Sequence, residues 1–342
     1  MGKRDWIDRV GRRGYAAAAV VLLILLAAVA TPELLGARVA AALHRLDGAD
    51  AKLLWVAGVG FAVAIFCAAG SWWSAIGLCG GRLSLADASA RYGAGSLVNT
   101  FVPARAGDAV RIGLFSRVLP NRERLWTSGS AFAALGAARA VVLAGLVVAG
   151  ALAGAVPLWP LLVVFALVGL AVAVTFRARG RHAVSKRAHL LDAFRALGRE
   201  PLSALRLIGW IAASTAGRLA AATAVGAALG IDQPFAAAVV IVPALDVAGL
   251  VPLTPGNLGV TSGAIAMAFQ AHGVSFTQGL AAGIAFHAVE TAVGIMFGIG
   301  SLLWLAPYPS PGVRRVALLA GAASWAVGIA GAFSATVLVP LV

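Results

Sequence analysis

Val102-Pro103-Ala104-Arg105-Ala106-Gly107-Asp108 and Val251-Pro252-Leu253-Thr254-Pro255-Gly256-Asn257 decide how this chain folds. Pro103 and Pro252, Gly107 and Gly256, and Asp108 and Asn257 are each 149 residues apart (252 − 103, 256 − 107, 257 − 108). Each stretch lies inside a long apolar region, and its Pro and Gly interrupt helix there. In lipid an interrupted backbone is tolerated only where protein or a watery cavity covers it. Matched interruptions in the two halves of a chain point to the binding site of a membrane transporter. Two unrelated kinks are the alternative, because Gly and Pro are common in membrane helices. The shared offset favours the repeat.

Composition sets the surroundings of these stretches. The 342 residues are 61% hydrophobic with mean hydropathy +0.93. Only 12% are charged, about half of what a soluble domain carries, so the chain is an integral membrane protein. The net charge of +14 falls mostly in short loops. Its first meaning is therefore orientation, and nucleic acid is not an expected partner. Cys67 and Cys79 lie in one apolar span, about 18 Å apart if helical, which excludes a disulfide between them.

Working outward, basic clusters alternate with apolar runs. Lys3, Arg4, Arg9, Arg12 and Arg13 precede a run over 15–31. It resembles a secretory signal, but is read as a retained first helix with its basic end inside. Residues 32–52 form an outer loop. The span 53–78 runs inward to Arg82, and 83–118 is too polar to cross. Basic residues flank that segment on both sides, so it is expected to enter and leave from inside as a re-entrant hairpin, helix 84–100 leading in and helix 107–118 leading out.

Residues 125–148 run outward and 159–176 return. Residues 177–200 carry seven Lys and Arg, the strongest cytoplasmic signal in the chain. Residues 202–229 run outward again. The segment 235–270 contains no Lys or Arg, which fits a hairpin entering from outside. Residues 277–305 run inward, Arg314 and Arg315 mark an inner loop, and 316–340 exit. The expectation is an all-α integral membrane protein with about seven spanning helices and two re-entrant hairpins. The repeats are 53–176, with hairpin 83–118, and 202–340, with hairpin 235–270. They are related by inverted topology in one membrane domain, 1–342, whose N-terminus is cytoplasmic.

The polar residues of this apolar chain are the candidate site. Asp108 and Asn257 stand where each returning helix begins, and both residue types suit a helix N-terminus. Helix N-termini brought near mid-membrane present free N–H groups. With Arg105 and Arg111 beside them they form a receptor for an anion such as phosphate. Arg139, Arg218, Asp246, His287 and Glu290 sit inside apolar spans, where each charge costs at least about 2.5–3.5 kcal/mol. Asp108, Asp246 and Glu290 are the candidate partners of Arg139 and Arg218, so helix-locking ion pairs compete with substrate contact as the explanation. His287 and Glu290 share a helix face, but no further His/Cys cluster accompanies them, and no metal or cofactor is expected. No nucleotide-binding Gly loop or His-Glu-x-x-His motif is present. The close glycines Gly93 and Gly95 point to tight helix packing.

Two longer motifs carry a family resemblance. They are Asn99-Thr100-Phe101-Val102-Pro103-Ala104-Arg105-Ala106-Gly107-Asp108-Ala109-Val110-Arg111 and Pro252-Leu253-Thr254-Pro255-Gly256-Asn257-Leu258-Gly259-Val260. In them the chain resembles the flippase-like family of the transmembrane region of lysylphosphatidylglycerol synthases. The family usually has Glu at 108, Gly at 257 and Glu at 262, where this chain has Asp, Asn and Ser. The resemblance implies movement of lipids between leaflets, with aminoacylated phospholipids, polyprenyl-phosphate sugars or hopanoids as substrates of different members. It also implies a stand-alone translocase, without the aminoacyl-transferase domain.

The sequence thus reads as an inner-membrane lipid flippase. Its substrate site is drawn from Asn99, Pro103, Arg105, Gly107, Asp108, Arg111, Arg139, Arg218, Asp246, Pro255, Gly256, Asn257 and Glu290, and its partner is a lipid with an anionic headgroup. A secondary transporter of a small soluble anion is the alternative. A membrane-bound transferase with Asp108 as base is the third.

Overall fold

The structure is a computed structural model. It describes residues 48–102, 106–120, 123–154, 200–248, 258–270, 273–306, 312 and 315. Eight helices are described: α1 (Ala51–Leu78), α2 (Leu85–Phe101), α3 (Ala106–Ser116), α4 (Arg124–Leu152), α5 (Pro201–Ala228), α6 (Pro234–Ala248), α7 (Leu258–Gln270) and α8 (Phe276–Leu305). No strand occurs among the described residues. The expected spans at 15–31, 159–176 and 316–340 lie outside them, as does most of the basic loop 177–200.

Helix length sorts the elements into two kinds. α1, α4 and α8 have 28, 29 and 30 residues and are apolar enough to cross a membrane. α5 has 28 residues but carries Arg206 and Arg218. The other four have 17, 11, 15 and 13 residues. At 1.5 Å per residue none of the four reaches across a hydrocarbon core of about 30 Å.

The short helices pack in two pairs. α2 and α3 pack antiparallel with their backbones in contact at two glycines. A Cβ on Gly107 would overlap the carbonyl oxygen of Gly95, and one on Gly95 would overlap the stem of Arg111. Ser84 caps α2, accepting from the Asp87 N–H at 3.0 Å and donating to the Asp87 carboxylate at 2.8 Å. α6 and α7 pack against each other in the same core as Phe61, Val225 and Phe286.

The two pairs open at opposite ends of the bundle. Trp304 Nε1 donates to Asp87 at 2.9 Å, and Trp72 stacks on Phe115 with ring centres 4.6 Å apart. Both mouths of the α2–α3 pair therefore lie beside the C-terminal ends of α8 and α1. Pro234 and Phe269, the mouths of the α6–α7 pair, lie against Gly226 near the C-terminal end of α5. Asp50 N–H donates to Ala228 O at 2.9 Å there, which places the start of α1 at that same end.

α1 and α5 cross at the centre through small residues. A Cβ on Gly60 would lie 2.8 Å from Gly217 O and 3.0 Å from Ala221 N, and one on Gly217 would lie 2.8 Å from Gly60 O and 3.0 Å from Ala64 N. Each helix thus presents the same Gly-x-x-x-Ala face to the other, a small-xxx-small crossing. α8 closes against α2 in a similar way. Leu97 fills the space over Gly298, and Ser301 with Phe297 fills that over Gly93. α4 is different: no described residue lies within 4 Å of a Cβ placed on Gly136 or Gly145.

Candidate functional site

Within the first hairpin, α2 carries Tyr92, Ser96 and Asn99 at i, i+4 and i+7, on the face turned to α3. The three converge on the start of α3. Asn99 Oδ1 accepts from the Gly107 N–H at 2.6 Å, so a side chain from one helix caps the next. Arg111 then folds back along α2. Its Nη1 donates to Asp108 at 2.6 Å, its Nη2 to Ser96 Oγ at 2.6 Å and its Nε to Tyr92 O at 3.3 Å. Its guanidinium also stands 4.0 Å over the Tyr92 ring. Both charged side chains are 11% exposed, so this is a buried pair with its donors satisfied by the hairpin itself.

A second cluster joins four helices. Arg139 on α4 donates from Nε to Asp246 Oδ2 at 2.7 Å and from Nη2 to Asp246 Oδ1 at 2.6 Å. Arg218 on α5 donates from Nη1 to the same Oδ1 at 2.7 Å, and its Nη2 lies 3.7 Å from Glu290 on α8. Asp246 reaches this point from α6, three residues beyond Pro243, which supplies no N–H to the carbonyl one turn back. His287, one turn before Glu290, is buried with Nδ1 unpaired among the described residues.

Both clusters face one cavity of about 460 Å³. Tyr92, Asp108 and Arg111 line it from the first hairpin, and Pro243 and Asp246 from the second. α4 contributes Gly136, Arg139, Leu143 and Val147, and α1 contributes Ala68 and Trp72. Two ion pairs thus stand in an otherwise mainly apolar chamber.

The predicted residues sort as follows. Asn99, Gly107, Asp108 and Arg111 come together in the first cluster, and Arg139, Arg218, Asp246 and Glu290 in the second. Asp108 pairs with Arg111. The partners of Arg139 and Arg218 are Asp246 and Glu290 instead, because α3 places Asp108 one helical turn from its own arginine. Pro103, Arg105, Pro255, Gly256 and Asn257 lie outside the described residues. Tyr92, Ser96 and Pro243 were not anticipated. The period of 92, 96 and 99 was a signal for the first two, since it puts three hydrogen-bonding side chains on one face of a helix.

The family described as the lysylphosphatidylglycerol synthase TM region matches residues 16–298. The chain belongs to this family. That match takes in every residue of both clusters of this member of the lysylphosphatidylglycerol synthase TM family. No curated protein matches the chain. Family membership and the apolar helices make it a multi-pass membrane protein concerned with membrane lipid.

Proposed function

We propose that this protein is a lipid translocase. It moves a phosphate-bearing lipid between leaflets, with the headgroup in the cavity and the chains along α4. The observation that carries this reading is the cavity itself. Guanidinium groups from the first hairpin and from α4 line it, and Gly136, with no described residue within 4 Å of its Cβ position, adjoins them. A mainly apolar chamber that also holds guanidinium groups suits a molecule with one charged end and one hydrocarbon end.

The inverted repeat belongs to the same reading. The reciprocal Gly60–Gly217 crossing and the opposite-ended helix pairs support two halves related by a pseudo-two-fold axis in the membrane plane. The cytoplasmic side is then the end that carries Asp87, Arg206 and Trp304. The protein acts as a carrier and not as an enzyme. Asp108, the one carboxylate suggested as a base, is engaged by Arg111 at 2.6 Å.

Reconstitution into vesicles tests the reading. Dithionite quenching of a headgroup-labelled phosphatidylglycerol should reach the inner-leaflet pool in proteoliposomes and only the outer pool in empty vesicles. Equal quenching in both, with uptake of a soluble anion in the proteoliposomes, would replace the lipid translocase by the small-anion transporter.

A further inference from the structure

Asp246 sits where an anion would. Two parallel N–H donors from Arg139 meet its two oxygens, at 2.7 and 2.6 Å, and Arg218 adds a third contact at 2.7 Å. A fork on two oxygens plus a second guanidinium is also the arrangement that holds a phosphate. The site is built from three helices, α4, α5 and α6, and closes about one carboxylate.

The two arginines are held unequally. The Arg139 side chain is 39% exposed and lines the cavity, whereas that of Arg218 is 16% exposed and has Glu290 behind it. Arg139 is the one free to turn. If it does, Asp246 keeps Arg218, and neither charge of that pair is left bare. If Arg218 turned instead, Glu290 would lose its nearest guanidinium.

We infer that Asp246 is a built-in occupant of a two-arginine anion seat, and that a phosphate entering the cavity takes the fork of Arg139 away from it. This rests on the reading that the cavity receives a phosphate-bearing group. It assigns Asp246 a role beyond locking helices: with Glu290 it balances the charge of the two arginines while the seat is empty, and it competes with the cargo for Arg139. The exchange swaps one bidentate ion pair for another, and no covalent bond is made or broken. A lipid phosphodiester and free phosphate present the same oxygens to Arg139, so the test includes both.

The experiment is binding to the full chain in detergent, with short-chain dihexanoyl phosphatidylglycerol as one probe and inorganic phosphate as the other. Asp246→Asn removes the competing charge and keeps the shape, so affinity for the bound probe should rise at least tenfold over wild type. Arg139→Gln leaves Asp246 with Arg218 and should lower affinity at least tenfold. Its partly exposed position keeps it informative should Asp246→Asn fail to fold. A folded Asp246→Asn that binds no tighter than wild type overturns the inference, as does an Arg139→Gln that binds equally well. If the lipid binds wild type and neither variant changes it, the seat fails while the headgroup reading stands. If neither probe binds any variant, both fail. Binding of inorganic phosphate alone, with the expected changes, keeps the seat and assigns it a soluble anion.

Discussion

Arg139 on α4 grips Asp246 on α6 through two parallel hydrogen bonds, 107 residues apart in sequence. Because Asp246 also accepts from Arg218, the two ends of the grip are not equivalent. Asp246→Ala leaves two guanidiniums short of a partner and should cost about 3 kcal/mol, the low end for breaking a buried pair. Arg139→Ala leaves Asp246 paired and, at 39% exposure, should cost only about 1 kcal/mol. Exchanging the two residues should not rescue stability, since an arginine at 246 would face Arg218. Thermal unfolding in one detergent compares all three. Full rescue by the exchange would mean that Arg218 is not part of the network.

Gly107 and Gly145 make a matched pair of tests. A methyl group on Gly107 meets the Gly95 carbonyl and the Asn99 side chain, whereas one on Gly145 meets no described residue within 4 Å. Gly107→Ala should therefore destabilise by about 3 kcal/mol, the upper part of the range for overpacking, and separate the first hairpin. Gly145→Ala should melt with the wild type. Equal melting of the two variants would contradict the α2–α3 contact.

Asp87 gives the first hairpin a pH dependence. The indole N–H of Trp304 and the hydroxyl and backbone of Ser84, together with nearby Arg91, hold its carboxyl below the usual range, against a smaller pull upward from burial. A depressed folded value means stability that is present above the unfolded pKa and is lost as pH falls through the folded one. Trp304→Phe should thus be less stable than wild type at pH 7, by about 1 kcal/mol after discounting for the exposed rim. The gap should close at pH values below the folded pKa. Melting curves taken from pH 7 down through the roughly 3.9 of a free Asp and below would show the gap narrowing. A gap independent of pH would assign the indole to packing alone.

Charge segregation sets the orientation test. A cysteine in place of Ser275, the N-cap of α8, should react with an impermeant thiol reagent in intact cells. One in place of Ser185, inside the basic 177–200 stretch, should react only after permeabilisation. The reverse pattern would turn the molecule over in the membrane.

Two helix positions were legible almost to the residue: helices expected at 84–100 and 107–118 occur at Leu85–Phe101 and Ala106–Ser116. The Pro103–Gly107 interruption is a local signal, and local signals survive in a sequence. The α1–α5 crossing was not legible, because its glycines are 157 residues apart (217 − 60) while the hairpins keep an offset of 149. The helices explain the difference of eight. α1 runs 18 residues past Gly60 and α5 only 11 past Gly217, and the following connections, 79–84 and 229–233, differ by one residue. Which acid meets which arginine was also hidden. Asp108 was expected as a candidate partner of Arg139 and Arg218 but pairs with Arg111 three residues on, and the bond from Arg139 to Asp246 depends on how α4 and α6 approach in space.

The described ion pairs also fix how membrane voltage acts on the chamber. Asp108 cancels Arg111, and Asp246 with Glu290 cancels Arg139 with Arg218. An elementary charge carried across the membrane field gains or loses about 2.3 kcal/mol per 100 mV, whereas a balanced set of charges moving together gains nothing. If the protein reorients as the proposed translocase, that movement should be electrically silent in these groups.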